Sequence, residues 1–186
     1  MTPTEFLTLY FPFALQAQKK YGVPAQVILA QAALESGWGK SKLSTEGYNF
    51  FGIKADGSWN GATITKQTRE VRNGKEVYEA AKFRKYATPL ESFDDHSKFL
   101  LKNPRYKAAF DYQGDPKAFA AEVAKAGYAT DPKYTELIHK LIDSSSGILS
   151  KISTVVTDTL KKKPLESGLF VLGAAALLFF ALSKSK

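Results

Sequence analysis

Cysteine is absent from this 186-residue chain, which excludes disulfides, thiolate nucleophiles and sulfur-ligated metals at the outset. Histidine is nearly absent as well. His96 and His139 stand far apart with no ligand spacing, so a zinc site is not expected and both read as surface or partly buried side chains. Zinc-finger spacing and the aromatic signature of RNA-binding modules are missing, so nucleic acid is not an expected partner. No internal repeat is visible. Also missing is a concentrated basic arm. The formal charge of +8 divides into +5 over residues 1–142 and +3 over residues 143–186. A spread excess of this kind favours a polyanionic partner, whether nucleic acid, anionic lipid or a cell-wall polymer. With 44% hydrophobic and 24% charged residues, the composition is that of an ordinary globular protein with room for a core.

The apolar stretch FLTLYFPFAL near the N-terminus is not read as a secretory signal, because Glu5 precedes it and no basic region leads into it. Pro3 and Thr4 before Glu5 mark a helix start, and the pattern predicts a helix from about Pro3 to Tyr21, ended near Gly22. A second helix is expected with Pro24 in its first turn and Gly37 as its stop. Ile28, Ala32 and Glu35 then share one face. The segment STEGYNFFGIKADGSW reads as a loop. Residues 62–86 predict two strands joined at Asn73-Gly74, a strong hairpin signal between β-prone runs. Helices are expected near 89–102, 104–112, 116–126 and 131–143, with Pro104, Pro116 and Pro132 near three of the starts. The fold class is therefore α+β, mainly α.

Residues 144–164 shift to Ser, Thr and Lys, with apolar residues at helical spacing, and read as an amphipathic or linker segment. Residues 168–182 follow without a charge or strongly polar group. That run is short against the roughly twenty residues that span a bilayer. Flanking Leu165, Ser167 and Ser183 lengthen it, and lysines bracket it. The expected division is thus a domain over 1–143, a linker over 144–164 and a C-terminal transmembrane anchor over 165–186, with lipid contact through 168–183. A chain anchored at its C-terminal end with no signal peptide leaves its topology open, and the lysines around the segment favour keeping the domain on the cytoplasmic side.

Glu35 lies where a helix is about to stop, in line with apolar neighbours. A carboxylate at a helix C-terminus opposes the macrodipole. An apolar setting adds a desolvation cost that raises the pKa. Both effects suit a proton donor near neutral pH better than a structural charge.

The motifs AQAALESGWGKS, YNFFGIKA, SWNG, KFRKY, NPRY and AGYATDPKY occur in that order over residues 4–142. In this the chain resembles glycoside hydrolase family 73, the flagellar-type endo-β-N-acetylglucosaminidases that cut bacterial peptidoglycan. The resemblance implies a lysozyme-like fold, a helical lobe and a small β-hairpin lobe with a cleft between, and no metal or organic cofactor. It implies Glu35 as the acid that protonates the glycosidic oxygen between N-acetylglucosamine and N-acetylmuramic acid. It implies a second carboxylate on the hairpin, eleven residues after Trp59, which is Glu70; Glu76 and Glu79 compete for the same role. A general base, a covalent nucleophile and assistance by the substrate's acetamido group all remain open. Trp38, Asn49, Phe51, Trp59, Tyr86, Tyr128 and Tyr134 are the expected substrate-binding residues, since sugar faces stack on rings and tyrosine hydroxyls reach sugar hydroxyls. Lys54 and Arg84 are expected to meet wall carboxylates. With the anchor, the resemblance points to a wall hydrolase held in a bacterial envelope or a virion membrane. The competing reading is a non-catalytic wall-binding or membrane-anchored structural protein that keeps the fold.

Overall fold

The structure is a computed structural model that describes residues 1–72 and 75–162, the side chains of residues 69–72, 75 and 155–162 excepted. Helix α1, Pro3–Tyr21, opens with a capping box: the Glu5 amide donates to the Thr2 hydroxyl at 3.2 Å and the Thr2 amide to the Glu5 carboxylate at 2.7 Å. It ends at Gly22, whose φ of +78° suits glycine. The side-chain amide of Gln113 donates to the Gly22 carbonyl at 3.0 Å, and a Cβ at position 22 would collide with it. Helix α2, Ala25–Ser36, has Pro24 as its N-cap residue, one position earlier than expected.

A short helix α3, Lys42–Gly47, occupies part of the expected loop. Ser41 caps it, accepting from the Ser44 amide at 3.2 Å. Six residues are too few to leave a periodic pattern, which is why the segment reads as loop in the sequence. Strands β1, Thr63–Arg72, and β2, Lys75–Arg84, pair antiparallel with Thr63 opposite Arg84 and Arg72 opposite Lys75. The hairpin expected around Asn73-Gly74 is therefore present, although those two residues lie outside the described ones.

Helix α4, Pro89–Lys102, a 3-10 helix over Pro104–Tyr112 and helix α5, Pro116–Lys125, follow close to the expected bounds. Asp115 caps α5 by accepting from the Lys117 and Ala118 amides.

Helix α6 differs from expectation. It starts at Tyr134 and runs unbroken to Lys162, across the boundary expected at 143. Ile138, Ile142, Ser145, Leu149 and Ile152 are all buried, a stripe spaced by fours and threes that faces the core. The Ser-rich stretch does not interrupt it. The Ser144, Ser145 and Ser146 hydroxyls donate back to the carbonyls of Leu141, Ile142 and Asp143. In that geometry serine is compatible with a helix interior. Residues 144–152 therefore pack as part of the helical body.

The core is aromatic on the α1 side. Phe6, Tyr10 and Phe13 meet Phe50 and Phe93 with ring centroids 4.6–6.2 Å apart, mostly tilted or edge-on. Burying each phenylalanine contributes about 1.5–3 kcal/mol. Both Phe50 and Phe51 belong to this core. Among the described residues no helix is long and apolar enough to cross a membrane. The expected anchor over 165–186 lies outside the described residues.

Candidate active site

Glu35 stands in the last turn of α2, one residue before Ser36 and two before the left-handed Gly37. The stop is built locally. The Ser36 hydroxyl donates to the Ala32 carbonyl at 2.5 Å and accepts from the Gly39 amide at 2.7 Å. Trp38, with φ of +60°, is held in the left-handed region by its amide's bond to the Ala33 carbonyl at 2.8 Å. A bulky residue in that conformation is a strained one.

The stop leaves the Glu35 side chain at the meeting point of two cavities. One, of about 340 Å³, is lined by Glu35, Phe51, Ile53, Lys54, Arg84, Arg105 and Tyr128 among others. The other, of about 400 Å³, is lined by Glu35, Tyr128, Ala129, Thr130, Asp131 and Tyr134 among others. Glu35 is exposed on its open side, whereas its helical neighbours Ile28 and Ala32 are fully buried. The protein packed behind it removes water from the remaining directions, and this desolvation raises its pKa above the ordinary glutamate value. Among the described residues no cation or hydrogen-bond donor pairs with its carboxylate to pull the pKa back down.

Two tyrosines flank it. The Tyr134 hydroxyl accepts from the Gln31 side-chain amide at 2.8 Å, so its own hydrogen stays available to another acceptor. The Tyr128 hydroxyl lies 3.2 Å from Nε2 of His96. Both phenols are pushed well up by burial, and the nearby Glu35 charge pushes in the same direction. Each remains a neutral donor at physiological pH. His96 stacks face to face on Phe51 at 3.8 Å, is fully buried and is held neutral, its pKa lowered to about 3 by desolvation.

Three expected binding residues sit elsewhere. Asn49 is buried and its amide is consumed: Nδ2 donates to the carbonyls of Ile53 and Arg84, and Oδ1 accepts from the Ile53 amide. It fastens the 49–53 turn to the foot of β2 and does not face the cleft. Tyr86 is buried and donates to Asp95 at 2.7 Å. Trp38 packs edge-on against Phe6 at 5.7 Å and lines a separate groove with Leu137 and Leu141. Arg84 is also committed. It grips Asp95 through two contacts of 2.8 and 3.1 Å, reaches Asp56 at 3.1 Å and covers the Trp59 ring at 4.8 Å. Trp59 itself donates to the Ala62 carbonyl and stands at the foot of the hairpin beside Tyr86.

Glu70 is placed by backbone only, opposite Val77 near the far end of the hairpin, and its side chain lies outside the described residues. The cavity containing Glu35 meets the hairpin at its foot, at Arg84. Sequence reasoning missed Gln31, His96, Asp95 and Arg105. None of these has a spacing signal, because each acquires its neighbours only through tertiary packing. Among the described residues no group of acidic or histidine side chains converges as metal ligands would.

A family profile described as mannosyl-glycoprotein endo-beta-N-acetylglucosaminidase matches residues 11–146, nearly three quarters of the chain. The chain belongs to this glucosaminidase family. The peptidoglycan hydrolase FlgJ of Vibrio parahaemolyticus is 41% identical over 140 residues, covering 74% of this chain and 46% of that protein. The exo-glucosaminidase LytG of Bacillus subtilis is 38% identical over 130 residues, covering 67% of this chain and 45% of that protein. The chain thus spans less than half the length of these relatives. A glycoside hydrolase domain from Salmonella typhimurium FlgJ aligns with a TM-score of 0.67 at 39% identity, over 78% of this chain and 99% of that one. The glucosaminidase chain is therefore mainly helical with a small two-stranded sheet, in the lysozyme-like arrangement of its family, and its domain is of the glycoside hydrolase type.

Proposed function

We propose that this chain hydrolyses the β-1,4 bond between N-acetylglucosamine and N-acetylmuramic acid in peptidoglycan, with Glu35 as the general acid. The observation that carries the reading is an unpaired, partly desolvated carboxyl at the junction of two cavities. Glycoside cleavage builds oxocarbenium character, and a carboxyl whose pKa is raised by desolvation holds its proton more tightly and is suited to supply the leaving group's hydrogen. Tyr128 and Tyr134 are the hydroxyl donors for the sugars on either side, Phe51 supplies apolar wall, and Trp59 is the further ring offered from the foot of the hairpin. Glu70 is the second carboxylate in this reading. Its strand position shares a face with Ile64 and, across the ladder, with Val77 and Phe83. By the same alternation Glu79 shares that face and Glu76 does not, which ranks Glu79 as the nearer competitor.

The reading is tested on gels containing cell wall. Wild type should clear them, and Glu35→Gln should lose turnover by about 10²–10⁴-fold, the range a general acid supplies. Equal clearing by both would remove Glu35 from the role and favour another acid. No clearing by either, with wall binding retained, would favour the non-catalytic wall-binding reading. Reducing-end analysis of the products reads the bond directly.

Residues 168–183 are proposed to hold the chain on a lipid bilayer, on the strength of their uninterrupted apolar composition between lysines. The test is co-sedimentation with vesicles of the full chain against a chain ending at Pro164. Equal recovery of both in the supernatant would reject the anchor.

A further inference from the structure

We propose that the cavity running from Glu35 to Arg105 is a carboxylate-recognising subsite, and that Arg105 selects the acidic lactyl-peptide substituent of muramic acid there. The inference rests on the peptidoglycan reading above and assigns the direction in which the glycan lies.

Three cations line this cavity, Lys54, Arg84 and Arg105, with one carboxylate besides Glu35, that of Asp56, which is engaged by Arg84. They are not equivalent. Arg84 is neutralised in place by Asp95 and Asp56, and its side chain is only 15% exposed. It holds the hairpin to α4 and has little charge to offer a ligand. Arg105 differs on each count. It is exposed, its guanidinium lies over the Tyr106 ring at 4.6 Å, and among the described residues no carboxylate pairs with it. The backbone behind it is fixed: Asn103 caps the 3-10 helix by accepting from the Arg105 amide at 3.3 Å, and Pro104 follows the cap. An arginine laid on an aromatic face keeps its planar fork open at the edge, which is the geometry that takes a carboxylate in two parallel bonds.

The second cavity has the opposite character. Beyond Glu35 its charged lining residue is Asp131, and among the described residues no cation lines it. An acidic substituent is therefore attracted to one side of Glu35 and repelled from the other. Peptidoglycan alternates a sugar bearing a carboxylate-rich lactyl-peptide with one bearing none. In the proposed bond the muramic sugar carries the oxygen that receives the Glu35 proton. Placing it on the Arg105 side puts the leaving group in the cationic cavity and the N-acetylglucosamine in the cavity lined by Ala129, Thr130 and Tyr134.

The test is calorimetric binding to the full chain carrying Glu35→Gln, with and without Arg105→Gln. The ligands are a soluble muropeptide and the same muropeptide with its carboxyls amidated. Arg105→Gln should weaken binding of the acidic ligand about tenfold and of the amidated one less than twofold, as expected for loss of one charge-assisted contact. Arg105→Lys should recover only part of the loss. Equal weakening for both ligands, or for neither, would overturn the proposal. Binding is read without turnover, so a wall-clearing assay on the otherwise wild-type chain reports separately on the hydrolase reading.

Discussion

The imidazole Nε2 of His96 and the hydroxyl of Tyr128 lie 3.2 Å apart, joining a fully buried side chain to one that lines both cavities beside Glu35. Among the described residues the other ring nitrogen of His96 has no partner. The tautomer therefore sets the role of the phenol. If Nε2 carries the proton, Tyr128 accepts from it and its own hydrogen is free for the cleft; if Nδ1 carries it, the Tyr128 hydrogen is spent on His96.

His96 also makes the fold acid-sensitive. Its folded pKa is lowered to about 3 while the unfolded chain titrates near the ordinary 6.5, so the unfolded state binds the extra proton first. The stabilisation is complete above 6.5 and is lost as pH falls towards 3, in total on the order of 5 kcal/mol. His96→Phe should flatten the fall of melting temperature between pH 6.5 and 4 while lowering turnover at neutral pH through loss of the Tyr128 contact. An unchanged acid slope in that variant, followed by thermal melts across the range, would contradict this account.

Glu35 has the reverse sign. Its folded pKa is raised by desolvation, so its proton is held more tightly in the folded chain. Its contribution is favourable below the unfolded value and is lost as pH rises through the raised one. Glu35→Gln should therefore raise the melting temperature at pH 7, by about 1–2 °C, and give no gain at pH 4. The alkaline limb of kcat/KM in the wild type should lie above the ordinary glutamate value and disappear into the residual rate of the variant.

Asn49 predicts a structural loss. Its amide makes three hydrogen bonds that tie the turn before Ile53 to Arg84. Asn49→Ala leaves buried backbone groups unpaired and should cost about 2–4 kcal/mol, read by denaturant unfolding. Asn49→Asp should not rescue it, because both donors to carbonyl oxygens are lost.

Leu149 and Ile152 predict where the domain ends. Both are nearly inaccessible within the core. Leu149→Ala or Ile152→Ala should each cost roughly 2–4 kcal/mol. A chain ending at Asp143 should melt roughly 10 °C lower than one ending at Thr154. Equal melting of the two truncated chains would restore the boundary at 143.

Glu70→Gln should lower turnover by about 10²-fold with little change in wall binding, assayed on the same gels and by pull-down with insoluble wall. Glu79→Gln is compared beside it on the same strand face, and a larger loss there would move the role to Glu79.

The parts of this molecule that were legible in sequence are those written locally. Proline and glycine bracket the helices, and Asn73-Gly74 marks the hairpin. Glu35 is conspicuous because a carboxylate at the end of an apolar helix invites explanation. What was illegible depends on partners distant in sequence. Asn49 and Arg84 look like ligand-binding residues until the turn and α4 consume their hydrogen bonds. The three serines of α6 look like a linker until their hydroxyls are seen bonded to the preceding turn. Arg105 stands within the NPRY motif, but nothing local shows that it lies exposed over the Tyr106 ring beside the cavity that holds Glu35.

Glu35 borders a cavity on each side. If the proposed hydrolase seats sugars in both, a polymer could lie across Glu35 without offering an end, scission would fall in the interior of strands, and a mesh would lose tension after few events. Turbidity should collapse early in a digest, while free disaccharide accumulates late.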